Sequence, residues 1–161
     1  MVGFLRAGLI TSVLALAITS GVAAKPHPET VAIAGTWKLN TAATKGMVPP
    51  MRSETRVYTV DGIKVTMHTD GIDTTGKSVS NSYAAAYDGK FYPTVGNPVG
   101  DTIALTRVDS HTITAILRKG STVSATSRAV VSPDGKHLTI KRKTGTPPGK
   151  LITSSLVYDR K

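Results

Sequence analysis

The feature that most constrains this chain is the recurrence of short stretches in which apolar and polar residues alternate, cut by turn signals at roughly ten-residue spacing. Ile63, Val65 and Met67 alternate with Lys64, Thr66 and His68, and Val123, Ala125, Ala129 and Val131 alternate with Thr122, Ser124, Thr126 and Arg128. A period of two gives a ribbon one wet face and one dry face, the pattern of a half-buried strand. The turns are equally explicit at Asp61-Gly62, Asp70-Gly71 with Gly76, Asp88-Gly89, Ser110-His111, Lys119-Gly120-Ser121 and Ser132-Pro133-Asp134-Gly135. Such pairs supply positive φ angles and side-chain hydrogen bonds to the local backbone.

These signals predict strands over 31–39, 54–60, 63–69, 79–87, 90–94, 102–109, 112–118, 122–131, 137–144 and 151–159. Pro93 marks the fifth as an edge or a bulge. The segment Asn40 to Arg52 carries Pro49-Pro50 and is expected to be a crossing loop with at most one turn of helix. Gly145 to Gly149, with Pro147-Pro148, reads as a stiff turn. Because every connection after Arg52 is short, the strands follow one another as hairpins. The expected fold is all-β: an antiparallel up-and-down β-barrel of about 8–10 strands.

The first residues stand apart from this pattern. Met1 to Arg6 is basic, Ala7 to Ile18 is an apolar run too short to span a bilayer comfortably, and Thr19 to Ala24 ends Val22-Ala23-Ala24. That is the layout of a secretory signal peptide cleaved after Ala24. The expected organisation is a signal peptide over 1–24, an extended leader over 25–30 and one domain over 31–161, with a periplasmic or secreted destination. Without a cysteine, the mature chain has neither a disulfide nor the thiol of a lipid anchor. A domain of this size is held by its core alone.

The formal charge is +10, and removal of Arg6 with the signal peptide leaves +10 − 1 = +9. For an exported chain this favours an anionic envelope surface over nucleic acid as a partner, beside the plain alternative of a solvated basic exterior. An outer-membrane barrel would need an apolar outer band with aromatic girdles. Aromatic residues are 5% of the chain, and the wet faces carry Lys, Thr, Ser and Arg.

Chemistry is sparse. Asp61, Asp70, Asp88 and Asp134 each precede a turn glycine, and no pair of carboxylates is placed for general acid and base work. His27, His68, His111 and His137 have no metal-ligand spacing. There is no nucleophile elbow, and Gly145 to Leu151 lacks the spacing and hydroxyl of a phosphate loop. No enzymatic activity, metal or cofactor is expected. Arg107 continues a dry face with Ile103 and Leu105, and Arg142 continues one with Leu138 and Ile140. Each either meets a ligand's acidic group inside the barrel or snorkels to the rim. Tyr83 and Tyr87, on one face with Val79 and Asn81, are candidate pocket walls. The opposite face, Ser80, Ser82, Ala84 and Ala86, is small enough for a neighbouring layer or a ligand to approach. Trp37, the single tryptophan, either plugs one end of the closing sheet or is an ordinary core residue.

Gly35-Thr36-Trp37-Lys38-Leu39 resembles the opening strand of the lipocalin and intracellular fatty-acid-binding protein superfamily, the calycins, with their Gly-x-Trp. Leu156-Val157-Tyr158-Asp159-Arg160 is similar to the closing strand of the fatty-acid-binding branch. The resemblance implies a barrel enclosing a cavity for a small lipophilic molecule, Trp37 and Gly35 in structural roles, and Tyr158 at the ligand. Two departures stand out: the two-helix lid of that branch has no counterpart in 40–52, and Leu156 replaces its arginine two residues before the tyrosine. The chain is similar in outline to small exported bacterial domains with lipocalin-like barrels.

Overall fold

The computed structural model describes residues 31–146 and 149–161, and in it the alternation becomes ten antiparallel strands. They are β1 (Gly35–Leu39), β2 (Met51–Asp61), β3 (Lys64–Asp73), β4 (Ser78–Ala86), β5 (Asp88–Val95), β6 (Thr102–Arg107), β7 (Thr112–Lys119), β8 (Thr122–Val131), β9 (His137–Thr146) and β10 (Lys150–Arg160). Each pairs with the next, and β1 pairs with both β2 and β10, so the sheet closes into a barrel. The signal peptide and leader expected over 1–30, His27 with them, and Pro147-Pro148 lie outside the described residues.

The two faces separate as the alternation requires except at Ile63 and Val123, expected on dry faces but 59% and 49% exposed, where the hairpin ends run out past the core. Leu105, Ile113, Leu117, Leu138, Ile140 and Leu156 point inward as one continuous core, while Thr126, Arg128, Lys141 and Lys143 are exposed. This is the inverse of a lipid-facing barrel. Of the small face of β4, Ser80, Ser82 and Ala84 point outward while Ala86 at its end is buried, and Val79, Asn81, Tyr83 and Tyr87 point in. Among the described residues no helix is long and apolar enough to cross a membrane.

Three local expectations are corrected. β1 begins at Gly35 rather than Val31, because residues 31–34 turn across the barrel end to bury Val31 and Ile33, and Gly35 takes φ 124° to redirect the chain. Asp70-Gly71 is not a turn. It lies inside β3, where Gly71 pairs with Glu54 and Val79 and an added Cβ would meet the Ser53 carbonyl; the turn comes later, organised by the Asp73 carboxylate. Asp88-Gly89 does not close a tight hairpin either. β4 and β5 pair only at Ser82 with Val95 and Tyr83 with Thr94, and separate towards their connection.

One end is sealed around Trp37, which is wholly buried and donates from its indole nitrogen to the Ile33 carbonyl at 2.7 Å. Below it the Arg160 guanidinium lies 4.2 Å from the ring centroid. That group donates to the carbonyls of Ala34 (2.8 Å), Ala32 (2.7 Å) and Gly135 (2.6 Å), tying three chain segments to the plug. The freed carbonyls of an Arg160→Ala variant would regain water, so the loss is expected to be about 2 kcal/mol rather than the full worth of three charged hydrogen bonds. Urea unfolding measures it, and an unchanged midpoint would remove Arg160 from the seal.

The other end is completed differently. β1 has 5 residues whereas β2 and β10 have 11 each, so no strand stands between the far halves of β2 and β10. Segment 40–50 fills that place. Lys45 and Ser155 exchange backbone hydrogen bonds of 2.9 and 2.8 Å, and Thr44 Oγ1 accepts from the Val157 amide at 3.0 Å.

Candidate ligand-binding site

Ala115 on β7 and Ser127 and Ala129 on β8 are small inward residues, Ala115 opposite Ser127 and Ala129 opposite Ile113, and a cavity lies beside them. About 90 Å³ is open to the centres of water-sized molecules. At some 15 Å³ per water on that measure, this is space for roughly six waters or a small organic group. The floor is Ile33, just above Trp37. The mouth is apolar, formed by Met47, Val48 and Pro49 of segment 40–50 and by Pro98 and Val99 of the β5–β6 loop.

One part of the wall is strongly polar. Glu54, Arg56 and Tyr58 alternate along β2 and all face inward. The Glu54 carboxylate accepts from Arg56 Nε at 2.6 Å and from the Tyr158 hydroxyl at 2.6 Å. Arg56 also donates to Tyr58 at 3.4 Å and lies 5.0 Å from the Tyr158 ring centroid. Burial alone would push Glu54 up, but the charge of Arg56 and the hydrogen bonds from Tyr158 and Arg56 outweigh it, and the carboxyl titrates below its ordinary value. Burial raises the Tyr158 and Tyr83 hydroxyls, which stay protonated at neutral pH.

Arg142 stands on β9 between two inward serines, Ser127 of β8 and Ser154 of β10. It makes no hydrogen bond or ion pair, and its Nε is buried without a partner. Burial and the nearby Arg56 charge both push its pKa down, yet a guanidinium keeps its proton at neutral pH. The charged residues lining the cavity are Glu54, Arg56 and Arg142, which sum to −1 + 2 = +1. Since Arg56 is matched by Glu54, the surplus positive charge sits at Arg142.

The residues singled out in the sequence are thus distributed. Arg142, Tyr83 and Tyr87 line the cavity. Tyr158 lies behind the wall, fully buried, and reaches the cavity only through Glu54. Arg107 ends β6, close enough to act electrostatically on Tyr87 but outside the cavity lining. Trp37 and Gly35 belong to the sealed end, where a Cβ on Gly35 would meet Arg160 Nη1 at 2.6 Å. Glu54 and Arg56 were not identified from the sequence, although the hairpin register contains them. Val65 and Met67 pair with Val60 and Tyr58, and continuing that register puts Arg56 and Glu54 on the same inner face. No group of His, Asp and Glu that could hold a metal ion occurs among the described residues.

No protein-family profile and no curated protein sequence matches the chain. Solved structures do. The zebrafish ileal bile acid-binding protein complexed with cholic acid superposes with a TM-score of 0.50 at 11% identity, over 81% of this chain and 98% of that one. Lobster apocrustacyanin A1 gives 0.40 at 16% identity (81% and 61%), and the siderocalin Ex-FABP gives 0.38 at 11% (81% and 74%). With the closed ten-strand barrel, the first of these defines the class: the chain has a calycin-like β-barrel fold.

Proposed function

We propose that the protein is an exported carrier, periplasmic or secreted, whose barrel binds a small amphipathic molecule bearing one negative charge and does no chemistry on it. The observation that carries this reading is Arg142, a half-buried cation on the cavity wall that makes no hydrogen bond and whose Nε is shut off from solvent without a partner. An uncompensated buried charge is costly, and a bound carboxylate would supply the missing counter-ion in bidentate form, with Ser127 beside it. The wall on β6 and β7, with Ile103, Leu105, Ile113 and Leu117, is apolar and suits a hydrocarbon body. The bile acid-binding protein that shares the fold offers a precedent for an amphipathic acid in such a barrel.

Calorimetric titration with dodecanoate, dodecanol and dodecyltrimethylammonium tests this. Dodecanoate is expected to bind about tenfold or more tighter than the alcohol, with the cation binding weakest. Equal affinity for acid and alcohol, or no binding of any of the three, would overturn the reading.

A second reading has one observation of its own. On the outer face Arg128 pairs directly across from Lys141, with Lys143 beside them, all exposed. Like charges opposite one another destabilise a sheet, and an anionic envelope surface would relieve them. Its mark is binding to phosphatidylglycerol vesicles that vanishes as salt screens the charges. Binding of dodecanoate in the cavity would be largely insensitive to salt.

A further inference from the structure

Two buried polar atoms of this cavity's wall lack partners, and they belong to different strands: Arg142 Nε on β9 and the Tyr87 hydroxyl at the end of β4. In a closed ring of ten strands, β9 and β4 are five steps apart in either direction, through β8 to β5 or through β10, β1, β2 and β3. The two residues therefore stand on opposite walls. On the side that runs through β8 to β5 the lining between them includes Ala129, Ile113, Leu117 and Leu105 and carries no charged group, whereas on the other side β2 brings Glu54 and Arg56 to the wall. Tyr87 is held in place by its amide, which donates to the Ile63 carbonyl at 2.9 Å, and burial raises its hydroxyl so that it remains a donor at neutral pH.

Resting on the anion reading above, we infer that the natural ligand is two-headed: an acidic group meets Arg142, and a neutral hydroxyl or carbonyl oxygen at the far end of an apolar body accepts from Tyr87. The second head is neutral because the lining has a surplus of one positive charge, which the acidic group at Arg142 consumes. A simple alkanoate would satisfy Arg142 and leave Tyr87 as it is. A hydroxylated or oxidised acid of the right length would satisfy both.

The test pairs alkanoates with their terminally hydroxylated counterparts over a series of chain lengths, titrated into the wild-type protein and a Tyr87→Phe variant. Hydroxylation ordinarily weakens binding in an apolar pocket, because the hydroxyl loses its hydration. Here one chain length is expected to reverse that order, with the hydroxy acid binding about tenfold tighter than the plain acid. Tyr87→Phe removes only an unpartnered hydroxyl. It should therefore unfold at no lower temperature than the wild type and lose the preference for the hydroxy acid over the plain acid of the same length. If no chain length shows the reversal, or if Tyr87→Phe keeps it, the two-headed ligand is overturned while plain-acid binding leaves the anion reading intact. If neither acid binds at any length, both readings fall together.

Discussion

Replacing Glu54 with alanine is expected to cost about 3–5 kcal/mol of folding free energy, the largest loss of any single polar substitution inside the barrel. The carboxylate is the counter-ion of Arg56 and the acceptor of the Tyr158 hydroxyl, all three being buried. Its removal leaves two guanidiniums inside the sheet with no anion. The same pair governs the acid limb of stability. The folded pKa of Glu54 lies below its unfolded value, so its contribution is full above about pH 4.3 and is lost as pH falls through the folded value. Chemical denaturation across that range should show wild-type stability falling towards acid, with the fall reduced in Glu54→Ala. The double variant Glu54→Leu/Arg56→Met, which removes both charges, should recover most of the loss. If Glu54→Ala unfolds at the wild-type denaturant midpoint, the network does not hold the barrel.

Arg142→Leu should act in the opposite direction on stability and abolish the binding. The variant exchanges a half-buried guanidinium that makes no hydrogen bond for an apolar side chain beside Ile140 and Leu138, so the protein without ligand is expected to be stabilised by about 1 kcal/mol. Affinity for dodecanoate should fall about a hundredfold, while affinity for dodecanol should hold or rise. This crossing of effects separates a ligand anchor from a structural arginine, whose loss would weaken both the fold and the binding. A destabilised Arg142→Leu protein would overturn the assignment.

Much of this architecture was legible in the chain. Period-two alternation needs no tertiary information, and with short turns it fixes hairpins in succession; once strands of this number follow one another, closure is the arrangement that leaves no edge unpaired. Segment 40–50 was legible as a non-helical crossing because Pro49-Pro50 removes two backbone donors. What escaped was set by contacts distant in sequence. Val31 and Ile33 alternate like strand residues, but turn across the barrel end beside Trp37 because Arg160, at the far end of the chain, captures the carbonyls of Ala32 and Ala34. Asp70-Gly71 has the composition of a turn, yet Gly71 is small because the Ser53 carbonyl crosses close to it.

The site divides along the same line. Arg142 was visible because an arginine continuing a dry face violates the alternation. Glu54 and Arg56 violate it too, but Val57, 40% exposed, points outward just after Arg56 and reads as the apolar member of the opposite face. Only the pairing of β2 with β3 resolves which face is inner. Tyr87 was visible as a wall residue, but its unpartnered hydroxyl depends on what stands opposite, which is a property of the closed ring.

The shortness of β1 bears on how a guest reaches the interior. A barrel walled by full-length strands on every side would have to part a ladder of amide bonds to widen, whereas here one panel is a loop pinned chiefly through Lys45, Ser155 and Thr44. Loosening those few attachments enlarges the apolar doorway at Met47 and Val48 and leaves the rest of the ring undisturbed. For a carrier of the kind proposed, loading and discharge would thereby be confined to one flank of the molecule, opposite the end that Trp37 and Arg160 close.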